Sequence, residues 1–308
     1  MVKEKDPKEI LKKYWGYDSF RFNQEAIISS VLSKKDTLAL LPTGAGKSIC
    51  YQIPALCKPG ITIVISPLVA LMIDQEKSLK AKGIKARIIY SGLSSQNIEI
   101  VLNNCLYGKV KILYISPERI SSRLFISYFE KMNVNLIAVD EAHCISKWGY
   151  DFRPSFLNIA ELRKYHPQTP VIALTATATK QVVEDIQDKL NFKERNPITS
   201  SFERENLNYM VFEEEDKITR IKTIVETIGG IGLIYVRSRR KTIELSSILK
   251  SVGIKAEAYH AGLTTAVRNY RQQNWIDENI EVMVATTAFG MGIDKQNVRY
   301  VIHYDLPE

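Results

Sequence analysis

The 308 residues predict an α/β protein of two domains, each a parallel sheet crossed by helices. Three observations carry that reading. Short β-branched runs alternate with longer helical stretches in both halves, a glycine-rich turn separates the first run from the helix after it, and the length suits two domains of roughly 150 residues.

The first strand series is TLALL (37 to 41), ITIVI (61 to 65), KILYI (111 to 115), VNLIAVD (134 to 140) and PVIALT (170 to 175). A second series follows: GLIYV (232 to 236), KAEAY (255 to 259), EVMVA (281 to 285) and RYVIH (299 to 303). Between them NFKERNPITSSFEREN (191 to 206) is polar, with a proline and a Thr-Ser-Ser run, and reads as a connector. The boundary is set near residue 202, giving domains 1–202 and 203–308.

Composition narrows the class. With 45% hydrophobic and 25% charged residues the chain can bury a core. Its longest mostly apolar, uncharged stretch runs only from Ile61 to Ile73 and is broken by Ser66 and Pro67, so no membrane span is expected. The opening MVKEKDPKEILKK mixes acids and bases without an apolar region, which argues against a secretory signal. A soluble protein of a reducing compartment is expected: cytoplasmic, associated with the nucleoid in a prokaryote, or nuclear in a eukaryote. Cys50, Cys57, Cys105 and Cys144 are scattered without metal-ligand spacing, so neither disulfides nor zinc are expected. Charge is uneven: residues 1 to 200 hold 28 basic and 19 acidic side chains, and 201 to 308 hold 14 and 15. A polyanion suits the first half, although such charge also serves as an ordinary solvated face.

LPTGAGKS (41 to 48) follows a predicted strand and opens a predicted helix, where backbone N–H groups and the helix dipole converge on an anion. Thr43, Gly44, Ala45 and Gly46 form the turn, Lys47 can reach β- and γ-phosphates, and the Ser48 hydroxyl can ligate Mg²⁺. The strict pattern wants glycine at position 41, where Leu41 stands. The competing reading is a plain strand-to-helix turn with a surface lysine.

A phosphate loop needs a carboxylate for the metal and a base for the water, and VNLIAVDEAH (134 to 143) supplies both at a strand end. Asp140 is the expected Mg²⁺ partner and Glu141 the base that deprotonates the attacking water. His143 is either a γ-phosphate sensor or a buried structural histidine.

With those segments in place, the chain resembles the RecQ family of superfamily 2 ATP-dependent DNA helicases from about Leu11 to Pro307. The resemblance implies two RecA-like parallel-sheet domains of the P-loop NTPase type, the second incomplete, and a superfamily that accepts a non-glycine at position 41. LKKYWGYDSFRFNQ (11 to 24) resembles the adenine-recognition segment, implying that Gln24 pairs with the adenine edge and that Arg21 lies near the nucleotide. As an ordinary amphipathic segment it would instead place Phe20, Phe22 and Ile27 in the core.

CISKWGYDFRP (144 to 154) resembles the aromatic-rich loop that links DNA binding to hydrolysis in this family, with Tyr150 where histidine is usual. Trp148 and Phe152 offer flat faces to unstacked bases and Arg153 a charge for phosphate, whereas three aromatics in five residues could also plug a core. SPLVALMIDQ (66 to 75) and YISPER (114 to 119) resemble strand-tracking motifs, and ALTATAT (173 to 179) resembles the motif joining hydrolysis to domain movement. SFERENLNY (201 to 209), GLIYVRSRRKT (232 to 242), YHAGL (259 to 263) and VATTAFGMGIDK (284 to 295) follow in the family's order. They imply a ribose or triphosphate contact for Asp294 and a DNA contact for Thr286. The likeness ends at Leu306-Pro307-Glu308, before the family's arginine-finger motif, which can be worth about 10³ to 10⁵ in rate. Weak turnover by this stretch alone is therefore expected.

The expected ligands are ATP, Mg²⁺ and DNA, single-stranded or partly duplex, with alternating closure of the domains driving 3′ to 5′ movement. Two rivals stand beside that reading: an RNA-directed motor of the same superfamily, and a non-catalytic, nucleotide-gated DNA-binding module.

Overall fold

A computed structural model describes residues 5–149, 151–201, 206–287, 289, 295 and 297–306, and the chain divides into two compact units, 1–205 and 206–308. Among the described residues no helix is long and apolar enough to cross a membrane.

The first unit contains β1 (Thr37–Leu40), β2 (Ile61–Ile65), β3 (Ala86–Ile89), β4 (Ile112–Ile115), β5 (Val134–Val139), β6 (Val171–Thr175) and β7 (Pro197–Thr199). They form one sheet in the order β3-β4-β2-β5-β6-β1-β7, and every pairing is parallel. The helices are α1 (Pro7–Trp15), α2 (Gln24–Leu32), α3 (Ile49–Cys57), α4 (Val69–Ala81), α5 (Ser95–Tyr107), α6 (Arg123–Phe129) and α7 (Lys180–Lys189). The central strands are apolar on both faces because helices cover both, and β1, β2 and β4 are buried throughout. One cluster gathers Ile63, Leu113 and Phe129, and the other Ile27, Val64 and Tyr114, on opposite faces of the sheet.

The polar end of β1 is pinned by a buried carboxylate. Asp36 accepts from the Val171 N–H, the Lys193 N–H and the Arg163 guanidinium, each at 2.9 Å. Pairing and hydrogen bonding together satisfy a charge that burial alone would disfavour.

The second unit has β8 (Ile231–Tyr235), β9 (Ala256–Tyr259), β10 (Val282–Ala285) and β11 (Val298–His303) with α8 (Lys217–Ile228), α9 (Arg239–Ser251) and α10 (Thr265–Ile276). Its sheet is parallel in the order β11-β8-β10-β9. Gly232 in β8 is packed directly against the Tyr300 ring, so a Cβ there would fall 1.9 Å from a ring carbon.

All nine expected strands are present, and two more appear. β3 is a half-buried edge strand containing Arg87, and its short mixed pattern carries little periodic signal. β7 corrects the reading of 191–206 as a connector throughout, since Pro197–Thr199 pairs with β1. Its proline sits on an edge strand, the place in a sheet that tolerates a missing N–H.

Candidate nucleotide site and coupling loop

In a parallel sheet every strand presents its carboxyl end to the same edge, and loops from β1, β2, β5 and β6 meet there. The loop after β1 opens α3. Gly44 and Gly46 have φ of 79° and 73°, a left-handed backbone that glycine adopts without strain. Leu41 needs no such freedom: it is fully buried, and its N–H donates to the Thr175 carbonyl at 3.2 Å. The residue at 41 therefore serves the core. Thr43 and Gly44 are exposed, Ala45 is buried, and Gly46, Lys47 and Ser48 are half-buried.

Gln24, only 3% exposed, is tied to this loop. Its amide donates to the carbonyls of Ala45 (2.8 Å) and Gly46 (3.2 Å), and its Oε1 accepts the Arg21 N–H at 3.0 Å. A Cβ on Gly46 would lie 2.7 Å from the Gln24 amide nitrogen, so any larger residue there would push the Gln24 side chain aside. Arg21 is exposed, with its guanidinium 5.3 Å from the centre of the Tyr17 ring. Of the expected core residues, Ile27 is buried and Phe20 packs on the core, whereas Phe22 is 55% exposed with φ of 49°.

Asp140, at the end of β5, is buried. Its Oδ1 accepts the Glu141 N–H at 3.0 Å, and its Oδ2 accepts a long 3.4 Å bond from the Ser66 hydroxyl. Burial pushes its carboxyl up to about 6, the Glu141 charge adds to the rise, and Lys47 opposes it. Lys47 and Asp140 thus feel each other's charge across the edge. Glu141 takes φ 48° and ψ 47°, an uncommon backbone for a side-chain-bearing residue. The oxygens here, the carboxylates of Asp140 and Glu141 and the Ser66 hydroxyl, suit a hard cation such as Mg²⁺.

β6 lies between β5 and β1, which brings Thr175 between the acidic segment and the phosphate loop. His143 Nδ1 stands 2.9 Å from the Thr175 hydroxyl and 3.4 Å from the Glu141 carboxylate. Burial lowers the imidazole's pKa, opposed by the charges of Glu141 and Asp151.

The chain then turns into the aromatic segment. Arg153 is its hub: its N–H donates to Cys144 O (2.8 Å), its guanidinium pairs with Asp151 (3.1 Å), and another guanidinium nitrogen donates to Pro67 O (3.2 Å). This links the segment to the loop after β2. Trp148 is 68% exposed, while Phe152 is half-buried with the Lys147 ammonium 6.0 Å from its ring centre. A Cβ at Gly149 would meet the His143 carbonyl at 2.8 Å, a backbone atom that cannot swing away.

His143, Cys144 and Asp151 offer ligand atoms within 4.8 Å of one another, a grouping that sequence spacing did not reveal. Burial holds the Cys144 thiol up at about 12, its Sγ donates to Asp151 Oδ2 at 3.6 Å, and Arg153 bonds that same oxygen. With the carboxylate engaged and the thiol protonated, the trio reads as a hydrogen-bonded junction between the acidic segment and the aromatic one. All four cysteines are buried and outside any disulfide.

In the second unit Thr286 is half-buried just past β10, and its N–H donates to Tyr259 O at 3.2 Å. Asp294, Gly290, Gly292 and Tyr150 lie outside the described residues. Within the first unit the structure gathers Gln24, the 43–48 loop, Asp140, Glu141 and His143. Sequence reasoning did not single out Tyr17, Thr175 or Asp151; an aromatic four positions before Arg21 was the one available hint.

Residues 21–186 match the family model described as DEAD/DEAH box helicase, and 216–308 match the helicase conserved C-terminal domain. The chain is 43% identical to the Haemophilus influenzae protein named ATP-dependent DNA helicase RecQ, over 97% of this chain and 48% of that one. It is 44% identical to the Bacillus subtilis protein of the same name, over 97% and 51%. The chain thus spans about half the length of these relatives. Among solved structures, an S. cerevisiae Dbp5 variant bound to RNA and ADP BeF3 superposes with TM-score 0.72 at 18% identity, covering 97% of this chain and 79% of that one. A DEAD box protein from Methanococcus jannaschii gives 0.56 at 22%, covering 99% and 84%. At such identity the likeness speaks to fold alone, that of two RecA-like domains.

Proposed function

We propose, from the premise that this chain belongs to the DEAD/DEAH box helicase family, that it is the motor core of an ATP-dependent DNA helicase. In this reading it couples MgATP hydrolysis to 3′ to 5′ movement on single-stranded DNA and to duplex unwinding. The RecQ names of its relatives support DNA as the track. The observation that carries the reading is that the glycine-rich loop of Lys47 after β1 and the Asp140–Glu141 pair after β5 share the carboxyl edge of one parallel sheet.

Residues 1–202 serve as the ATP-binding domain and 203–308 as the helicase C-terminal domain. The amides of Thr43 to Ser48 wrap the phosphates, and Lys47 neutralises β- and γ-oxygens. Ser48 and Asp140 hold Mg²⁺, which when bound supplies positive charge to the same oxygens. Glu141 accepts the proton of the attacking water, and neutral His143 holds the Glu141 carboxylate against Thr175. Arg21, on the Tyr17 face, flanks the base, and Asp294 contacts the ribose or triphosphate. Gln24 reads the adenine edge by exchanging its bonds to Ala45 and Gly46, so base recognition frees the loop to close on phosphate. Trp148 and Phe152 stack on unpaired bases, Arg153 relays their position to the loop after β2, and Thr286 contacts the same strand. Wherever the cell keeps its DNA is where such a motor works.

Steady-state ATPase measured alone, with single-stranded DNA and with single-stranded RNA tests the reading. Stimulation by DNA well above that by RNA is expected. Equal stimulation by RNA overturns the choice of track, and ATP-dependent DNA affinity without turnover replaces the motor by a gated binding module.

A further inference from the structure

At the opposite edge of the seven-stranded sheet, where the strands begin, the first unit has a concave pocket of about 600 Å³. That volume lies within the range of small-ligand sites. It is built where α1 packs over the segments entering β2, β3 and β4, so its wall comes from elements far apart in sequence. Lys5, Lys13, Lys58, Lys85, Lys109 and Lys111 line it. Against those six ammonium groups stands Glu9, the one acid among the described lining residues. Tyr14 and Ile84 contribute an apolar wall.

We propose that this pocket binds a compact, multiply charged phosphate anion, at a site separate from the Lys47 loop. Six lysines lining one concavity bring like charges near one another, a cost that folding alone gives no reason to keep. Lys111 illustrates the cost. Its ammonium is half-buried, donating to the carbonyls of Lys58 (2.9 Å) and Gly60 (3.0 Å), and its pKa is lowered first by burial and then by the Lys5 charge. An anion in the pocket relieves that repulsion. Among the described residues no arginine lines it, and lysines, as compact point charges, suit the distributed charge of phosphates better than bidentate capture of a carboxylate. A single local concavity favours a small ligand over a nucleic-acid strand, whose backbone is tracked by an extended basic stripe. The apolar wall leaves room for the phosphates to be carried either by inorganic polyphosphate or by a nucleoside bisphosphate.

Calorimetric titration tests this on the whole chain, with one equivalent of a non-hydrolysable ATP analogue and of Mg²⁺ to occupy the Lys47 loop. The probes are inorganic tripolyphosphate and adenosine 3′,5′-bisphosphate. One equivalent of at least one probe should bind, and the tighter of the two identifies the carrier. Lys85 and Lys109 are exposed on the rim, so Lys85→Ala/Lys109→Ala should leave the thermal transition in place while weakening binding roughly tenfold. A control pair outside the pocket, Lys77→Ala/Lys131→Ala, should keep the parent affinity. Equal weakening in both pairs reduces the effect to net charge and overturns the proposal. So does loss of binding in Lys47→Ala without loss in the rim variant. A rim variant that loses affinity for single-stranded DNA but not for either probe assigns the lysines to nucleic acid instead, which also overturns it.

Discussion

The two edges of the seven-stranded sheet carry opposite electrostatic loads. Where the strands end, Asp140 and Glu141 are adjacent carboxylates with Lys47 as the nearby cation, and burial raises Asp140 to about 6. Where the strands begin, six lysines face one glutamate among the described residues, and burial lowers Lys111. The first edge crowds negative charge and strains the backbone at Glu141; the second crowds positive charge without that strain. Each edge gathers like charges that a fold selected for stability alone would disperse, so each is the kind of place where a ligand of opposite sign repays the cost. On the proposed reading, the difference is that the sheet's ending edge takes a cation and its phosphates together, and the starting edge anions alone.

The largest expected effect removes the cation from the first edge. Lys47→Ala should abolish nucleotide binding and turnover, measured by fluorescent-nucleotide titration and steady-state ATPase; retained affinity would break the contrast at once. Next, Glu141→Gln should keep nucleotide affinity and lower kcat by about 10² to 10⁴. Wild-type turnover in that variant removes Glu141 from the role of base.

Asp140→Asn separates stability from function. The carboxyl's pKa rises from an ordinary 3.8 to about 6 on folding, so between those values the folded state binds the extra proton. The protein without ligand should therefore gain stability as pH falls from 6 toward 3.8, and at pH 7 to 8 it carries the full cost of the buried charge. That cost is at most about 3 kcal/mol, the shift multiplied by 1.36 kcal/mol per pH unit. Asp140→Asn should then raise Tm at pH 7.5 and flatten this part of the pH dependence while turnover falls. An unchanged Tm would show that the edge is not strained by charge.

A smaller effect is expected at the exposed ring. Trp148→Ala should weaken single-stranded DNA binding by about 1 to 3 kcal/mol and lower the DNA-dependent part of the ATPase more than the rest. Gly149→Ala keeps the ring yet drives a methyl toward the His143 carbonyl, so it should uncouple DNA from hydrolysis with less loss of DNA affinity. Equal loss of affinity in both variants would make the segment a binding patch and not a relay.

Much of this was legible in the chain because it is local. The phosphate loop is eight consecutive residues whose glycines, lysine and serine each answer a backbone or charge requirement, and Asp140 and Glu141 close an apolar strand. The nine long or apolar strands carried enough pattern to be seen. β3 and β7 did not, because edge strands of three or four residues with polar neighbours lack a repeat to recognise.

The amino-acid order alone determined the α/β alternation, the loop of Lys47 and Ser48, and the pair of carboxylates that closes β5, since these depend on contacts within one turn or one strand end. Tertiary structure decided the rest. Only strand order puts Thr175 beside His143, only the packing of α2 directs the Gln24 amide onto Ala45 and Gly46, and only the meeting of α1 with three strand beginnings turns six scattered lysines into one pocket. Such groupings depend on distances between residues tens of positions apart, and charge and chemistry that look diluted along a chain become concentrated when a sheet brings its strand ends to one edge.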